Sequence, residues 1–209
     1  MTESRKVRTG EHLTRLANQH GFRSFAPIWD DPENRSLRAT RVTPHILADQ
    51  DTVSIPPLNL REVDRPTDQR HRFRAELHPI VVRLVFTHWD DRPVDEAPTE
   101  VLLDGKTAPF TAGAKGTLDV PVTALNDRCR VNFAKSDVTA RIGFLQPIAT
   151  PAGVRLRLEN LGYFPGDNDD PKKIAFRSAI EEFQCDHKLL IDGKIGPQVR
   201  SALLKVHGC

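Results

Sequence analysis

Apolar residues recur at helical spacing in the last third of the chain. Positions near i, i+3, i+4 and i+7 give each of three predicted helices one apolar face. We expect these residues to face inward, helix by helix: Val154, Leu156, Leu158 and Leu161; Ile174, Phe176, Ala179, Ile180 and Phe183; Val199, Ala202, Leu203 and Val206. The first helix is expected to end at Gly162 and the third to begin at Pro197. The pattern therefore predicts a small helical unit with two connecting loops.

The second of these helices has a predicted start, and the loop after it has a predicted turn. Pro171 is expected just inside the helix, with Asp169 or Asp170 as its cap. In the following loop, Asp192-Gly193 predicts a turn, because Asp bonds to nearby backbone and Gly supplies a positive φ.

The middle of the chain has the pattern of short strands separated by turns. Strands are predicted over residues 80–86, 99–103, 117–121 and 129–133. Asp104-Gly105 is a signal for a tight hairpin. Strands at this regular spacing are typical of a small antiparallel sandwich.

The first 56 residues indicate the order strand, helix, helix, strand. The first strand is predicted at residues 6–8 and the last at residues 53–56. A helix through Leu13 is expected to end at Gly21. Residues 28–32 are predicted to break the chain, with a second helix running from Pro32 to about Arg38.

Length and charge limit the classes of function. The 209 residues carry a formal net charge of +2, with 38% hydrophobic and 28% charged residues. This length predicts one to three small domains, and the charge is too mild to favour nucleic acid as the main partner. Without a membrane-length apolar run or a hydrophobic signal core, we expect no membrane insertion and a cytoplasmic location on synthesis.

Cysteine and histidine stand together twice near the C-terminus, in Cys185–His187 and His207–Cys209. Four such ligands suit a tetrahedral zinc site, but this spacing matches no common zinc motif, and no metal is predicted. A disulfide between Cys185 and Cys209 is the simpler possibility in an oxidising compartment. Two unpaired thiols beside two solvated imidazoles remain the third alternative.

Motifs for catalysis are missing from the sequence. It contains no H-E-x-x-H, no P-loop and no G-x-S-x-G. Asp pairs occur beside Pro and Gly, where Asp is expected as a turn residue. We therefore expect a chain without enzymatic activity and without a cofactor.

The C-terminal residues carry a resemblance to a known family. Matching positions are Leu161–Gly166, Phe183-Gln184, Leu190, Asp192-Gly193, Gly196-Pro197 and Ala202-Leu203. They resemble the peptidoglycan-binding module at the ends of many cell-wall hydrolases, although the first loop departs from the family pattern at residues 168–171. The resemblance implies ligand contacts by Tyr163, Phe164, Asp167, Asp192, Gly193, Gly196 and Gln198.

The N-terminal residues resemble a LysM domain. Matching positions are Gly10, Glu11, Leu13, Ala17, Gly21, Pro44, Leu47 and Ile55-Pro56. The resemblance implies a groove for glycans that contain N-acetylglucosamine, lined by Gly10, Glu11, His12, Ile46, Leu47 and Ala48. Folds of this kind also serve as plain assembly modules in phage tails and contractile machines, and that alternative stays open.

The strand-rich middle resembles a transthyretin- or carboxypeptidase-regulatory-like β-sandwich. The expected fold class is therefore α+β multidomain: a βααβ LysM-like domain over residues 1–57, a linker over 58–76, a small antiparallel β-sandwich over 77–140 and a three-helix peptidoglycan-binding domain over 141–209.

These resemblances imply a non-catalytic protein that binds the glycan or stem peptide of peptidoglycan. They also imply a carrier, because such modules occur together in type VI secretion and phage-tail-like loci; a contractile injection system would take the chain to the periplasm or cell wall. The alternative is a structural or adaptor part of the spike or baseplate of that system, in which both end modules dock on protein.

Overall fold

The computed structural model of the protein describes residues 2–60, 62, 64–72, 80–88, 92–94, 98–103, 105–133 and 136–208. Its architecture is mixed α+β, with three small antiparallel sheets and a helical C-terminal part. Among the helices of these residues, none is both long enough and apolar enough to cross a membrane.

The N-terminal unit, residues 3–55, closes with its two strands side by side. Its elements are β1 (Glu3–Lys6), α1 (Leu13–Gln19), α2 (Ala26–Trp29), a 3-10 helix (Pro32–Asn34), α3 (Arg35–Thr40) and β2 (Thr52–Ile55). β1 and β2 pair antiparallel, from Glu3 opposite Ile55 to Lys6 opposite Thr52. The predicted strands at both ends with helices between them are confirmed, but three short α-helices and a 3-10 helix are present where two helices were predicted.

Several details of that unit differ from the sequence prediction. The first strand was predicted at residues 6–8, but β1 covers Glu3–Lys6. Ile28 does not lie in a break but in α2, where it is fully buried in the core. Pro32 begins a 3-10 helix rather than an α-helix, because the Asp31 side chain accepts the Glu33 N–H and fixes a tight turn there. The α-helix then starts at Arg35.

Buried Asn34 ties the helices to β2. Its Nδ2 donates to the carbonyl oxygens of Ile28 and Ser54 at 2.7 and 2.6 Å, and its Oδ1 accepts the Ser54 N–H at 2.8 Å. The Asn34 side chain is buried and the Ser54 backbone is partly shielded, so these bonds replace hydrogen bonds to water that are lost on folding.

The strand-rich unit, residues 80–142, is a sandwich of two sheets. Its strands are β3 (Ile80–Val85), β4 (Pro98–Leu103), β5 (Lys106–Thr111), β6 (Thr117–Val122), β7 (Arg128–Phe133) and β8 (Ser136–Arg141). β3 pairs with β6, and the second sheet has the order β5-β4-β7-β8, with every pair antiparallel. Val120 from the first sheet and Val101 and Val131 from the second share one buried core, which confirms the predicted sandwich.

The predicted hairpin joins β4 to β5, where Leu103 lies opposite Lys106. Gly105 has φ = +73°, which is the left-handed conformation that this turn requires. Its neighbour Asp104 lies outside the described residues.

The C-terminal unit consists of α4 (Pro151–Asn160), α5 (Ile174–Asp186) and α6 (Pro197–His207). One core joins the three helices through Val154, Leu158, Phe176, Ala179, Ile180, Phe183, Val199 and Leu203. The periodicity therefore predicted both the helices and most of their inward faces. Pro197 is the first residue of α6, as expected.

Three predictions for this unit are wrong. α5 begins at Ile174 without a side-chain cap, and Pro171 lies before it in a turn where Asp170 Oδ1 accepts the Lys172 N–H. Ile174 is 85% exposed, since it is two residues from Phe176 and therefore on the opposite side of α5. Val206 is 44% exposed in the last turn of α6.

Candidate functional site

Buried Gln184 organises the second loop of the C-terminal unit, residues 187–196. Its Nε2 donates to Asp192 Oδ1 at 2.8 Å, and its Oε1 accepts the N–H groups of Asp192 and Gly193 at 3.1 and 2.9 Å. Asp192 Oδ1 also accepts the Lys194 N–H at 3.0 Å. The hydrogen bond from Gln184 and those from backbone N–H groups lower the pKa of the Asp192 carboxyl, so it is a carboxylate at neutral pH.

Gly193 packs this loop closely against α5. Its φ is +65°, and a Cβ at this position would lie 2.7 Å from Glu181 Oε1 and 2.9 Å from Arg177 Cγ. Arg177 and Glu181 form an ion pair at 2.8 Å over the same spot. The positive φ favours glycine at position 193, and a Cβ would also displace these two side chains, which accounts for Gly193 in the predicted site without any ligand.

The first loop, residues 161–173, is held from α4. Arg155 Nε donates to Asp169 Oδ1 at 2.6 Å, and its Nη1 reaches Glu159 Oε2 at 3.1 Å and the Gly166 carbonyl at 3.3 Å. Two of these acceptors, Asp169 and the Gly166 carbonyl, belong to the loop, so one guanidinium holds the loop against α4, while Glu159 is a partner within the helix.

The two adjacent aromatic residues of this loop have different environments. Tyr163 is partly buried, with its ring edge-on to Phe183 at 5.6 Å and its hydroxyl donating to Asp186 Oδ2 at 2.9 Å. Phe164 is 87% exposed. A ring in that position offers its face to a ligand, whereas Tyr163 contributes first to the fold.

The other predicted ligand residues lie at the rims of the two loops. Asp167 and Gln198 are exposed, while Asp192 and Gly196 are half-buried. Sequence reasoning missed Leu190 and Ile191, which are 75% and 56% exposed just before Asp192. Their signal was an apolar pair directly before a turn, outside the helical period.

The two loops contact different sides of α5. Tyr163 meets Asp186, whereas Gly193 meets Arg177. At about 100° per residue, Asp186 and Arg177 point to opposite sides of the helix. The predicted residues therefore form two surfaces, one around Phe164 and one around Leu190 and Asp192, rather than one cluster.

The groove predicted in the N-terminal unit lies against the chain's own residues 143–149. A Cβ on Gly10 would lie 3.0 Å from Phe144 Cζ, and one on Gly143 would lie 3.0 Å from His12 Cδ2. Ile46 lines a crevice whose other wall includes Pro147 and Ile148. These contacts join the N-terminal unit to the segment that leads into α4.

The remaining groove residues have structural partners. Glu11 forms a bidentate ion pair with Arg5, with Nη2 at 2.7 and 2.8 Å from its two carboxylate oxygens. Leu47 is buried in the core, and the Ala48 N–H donates to Asp51 Oδ2 at 2.8 Å. Nothing in these contacts requires a ligand.

His12 is a buried titratable group at this contact. It is 5% exposed, and its Nδ1 accepts the Arg15 N–H at 3.4 Å as the cap of α1. Burial first, then nearby His45 and Arg15, lower its pKa to about 4. The imidazole is therefore neutral at physiological pH.

Cys185 lies exposed on α5, and Cys129 lies buried in the sandwich. Cys209 is outside the described residues, so the disulfide between Cys185 and Cys209 stays a prediction. Within the described part of the chain, no three His, Cys, Asp or Glu side chains converge to hold a metal ion.

A family model matches the C-terminal part of the chain. The model of the family described as "Putative peptidoglycan binding domain" matches residues 154–203. That range runs from the first turn of α4 into α6 and includes both loops. No curated protein and no solved structure matches the chain.

Proposed function

We propose that this chain is a non-catalytic protein that binds peptidoglycan through its C-terminal unit. The observation that carries the proposal is the family match over residues 154–203, which coincides with the three packed helices. A peptidoglycan-binding domain supports a cell-wall role, and such a domain is not catalytic by itself.

Exposed apolar side chains around the two loops support sugar contact. Phe164 presents a free aromatic face, which packs well against the C–H face of a pyranose ring. On the second surface, Leu190 and Ile191 offer apolar contact beside the Asp192 carboxylate, an acceptor for sugar hydroxyls or peptide N–H groups. We propose Phe164 and Asp167 on the first loop, and Asp192 and Gln198 near the second, as the contact residues.

Sedimentation with purified sacculi tests this proposal. The full chain is expected to pellet with sacculi, and Phe164→Ala, Leu190→Ala or both are expected to lower the pelleted fraction. The matched control is Leu60→Ala, which removes an equally exposed apolar side chain outside the C-terminal unit. Full-chain protein that stays in the supernatant at every sacculus concentration would overturn the proposal.

We extend the proposal to delivery by, or attachment to, a contractile injection system of the type VI or phage-tail-like kind. This step is supported by the three-part resemblance of the sequence, and the working location that we propose is the periplasm or cell wall. The adaptor alternative uses the end units to dock on a spike or baseplate protein. Residues 143–144 pack against Gly10 and His12, so part of the glycan groove predicted in the N-terminal unit is filled by the chain itself.

Affinity purification from the native cell separates these two versions. Recovery of a spike or baseplate protein with the full chain supports attachment to the injection system. If that partner is recovered while sacculus binding is absent, the adaptor version is correct. Sacculus binding without any such partner would overturn the link to the injection system and leave the wall-binding role.

A further inference from the structure

The outer face of the four-stranded sheet carries a polar depression. Its walls come from all four strands: Glu100, Leu102, Thr107, Arg130, Asn132 and Asp137. The register places Glu100 opposite Asn132 and Leu102 opposite Arg130. Since Val101 and Val131 between them face the core, these side chains share the outward face. The depression is shallow and open to solvent.

Two arginines face each other at one end of this surface. Arg128 on β7 is directly opposite Arg141 on β8, and both are exposed. Like charges at directly opposed positions destabilise a sheet. Arg128 has Asp127 at 3.4 Å, and the Arg141 guanidinium lies 5.9 Å from the Phe144 ring centroid. The arrangement therefore leaves net positive charge at this end.

The charged groups in the depression are not neutralised by one another. Within the described part of the chain, neither Arg130 nor Glu100 takes part in an ion pair or side-chain hydrogen bond, although they lie on neighbouring strands of one face. Asp137 accepts a hydrogen bond from Asn132 at 3.0 Å and keeps its charge exposed. Charges of both signs thus stay available to a ligand.

The charges are separated along the strands. Arg128 and Arg141 mark the basic end, while Glu100 and Asp137 lie beside Asn132, four residues further along β7. At about 3.3 Å per residue, the two ends are about 13 Å apart. Three or four residues of extended peptide span that distance. The complementary ligand carries a carboxylate at one end and an ammonium group at the other.

We propose that this sheet face binds a short zwitterionic peptide, and that the peptide is the stem peptide of peptidoglycan. Arg128, Arg130 and Arg141 take its free carboxylates, and Glu100 and Asp137 take the ammonium group of its diamino acid. The identification rests on the proposed function, because a chain held on the wall by its C-terminal unit meets such peptides at high local concentration. Two weak contacts on one chain then add avidity.

The test is calorimetric titration of the full chain with the tripeptide alanyl-γ-glutamyl-lysine. Saturable binding is expected, and Arg141→Gln or Glu100→Gln should weaken it at least fivefold. The same peptide with its carboxylates amidated and its amines acetylated should not bind. The matched control is Arg23→Gln, an exposed arginine of the N-terminal unit, which should leave the affinity unchanged.

A thermal scan of Arg141→Gln separates a binding role from a structural one. Removing one of two opposed arginines relieves repulsion but also removes the contact of Arg141 with the Phe144 ring, so the melting temperature should change little while peptide affinity falls. A lower melting temperature together with weaker binding would assign the arginine to the fold and overturn the proposal. Absence of saturable binding, or equal loss in Arg23→Gln, would overturn it as well.

Phe164→Ala distinguishes failure of this inference from failure of the wall-binding function. That variant should lose sacculus affinity and keep the tripeptide affinity. If the full chain never binds sacculi but binds the tripeptide through Arg141, the sheet site stands and the wall-binding role falls. If sacculi bind and the tripeptide does not, the sheet site is wrong and the role of the C-terminal unit stands.

Discussion

Gln184 donates its Nε2 to Asp192 Oδ1 at 2.8 Å and accepts the Asp192 N–H with its Oε1 at 3.1 Å. One amide thus bonds to both the side chain and the backbone of the same loop residue. Gln184 is buried on α5, so the position of the second loop depends on the helix as well as on the loop's own Asp192 and Gly193. The orientation of the Asp192 carboxylate is therefore fixed by these hydrogen bonds in the absence of a ligand.

Gln184→Glu should release this loop. A carboxylate in that place has no N–H to offer Asp192 and brings a second negative charge beside it. Leaving buried partners unsatisfied costs about 1–3 kcal/mol, and we expect the free energy of unfolding in urea to fall by that amount. Gln69→Glu, a change at an exposed position, should leave it unchanged. Equal stability of both variants would show that the loop does not depend on Gln184.

Phe164→Ala should lower sacculus affinity and leave the fold intact. The ring is 87% exposed, so its removal opens no cavity and the melting temperature should change by less than about 1 °C. Loss of a stacking contact worth about 0.5–1.5 kcal/mol weakens binding by about twofold to tenfold. Quantitative sedimentation with sacculi measures it. Unchanged affinity would mean that sacculi contact the second loop and not Phe164.

Periodicity predicted the helices of the C-terminal unit and the strands β3, β4, β6 and β7, because these elements bury one regular face. Periodicity did not predict burial that depends on a specific hydrogen-bond contact. Arg157 lies fully buried in α4 because its guanidinium donates to the carbonyls of Gln146 and Gly153 at 2.9 and 2.7 Å, a geometry that no spacing rule contains.

The candidate site was predictable in part. The family pattern indicated residues of both loops as candidates, but the sequence did not show that Phe164 is exposed while Tyr163 packs on Phe183. Adjacent residues in a loop follow no helical or strand periodicity, so the sequence pattern does not indicate which side chain is exposed and which is buried. The contact of Phe144 with Gly10 joins residues far apart in sequence and was likewise invisible.

Gly153→Ala should destabilise the protein, although alanine usually stabilises a helix. A Cβ at Gly153 would lie 2.0 Å from the Pro147 carbonyl oxygen and 2.7 Å from that of Gln146. Backbone cannot move aside as a side chain can. The free-energy cost of this clash should therefore exceed the helix-propensity gain of about 1 kcal/mol, and the free energy of unfolding should fall by about 1–3 kcal/mol.

Urea unfolding of Gly153→Ala gives that difference, with Gly162→Ala as the comparison. Gly162 has open space around its Cβ position and a φ of +92°, so alanine there meets conformational strain without a clash. Gly153→Ala should be the less stable of the two. A stabilised Gly153→Ala would mean that residues 146–147 do not pack on α4.

Acid should weaken the protein through His12. Its pKa is about 4 in the folded protein because burial, His45 and Arg15 disfavour the imidazolium, whereas its ordinary value is 6.5. The folded state therefore binds the proton less readily than the unfolded state does. Stability is complete above about pH 6.5 and falls as the pH drops towards 4, by on the order of 3 kcal/mol at most.

His12→Asn isolates this contribution from that of the carboxylates. Asparagine at the cap of α1 accepts the same N–H group of Arg15 and does not titrate. The urea midpoint should fall more between pH 7.5 and pH 4.5 for the natural chain than for His12→Asn. Only in the natural chain does unfolding expose an imidazole that then binds a proton, which favours the unfolded state at low pH. Parallel losses in the two proteins would place the acid sensitivity elsewhere, and would mean that the packing of Gly143 on His12 does not keep the ring from water.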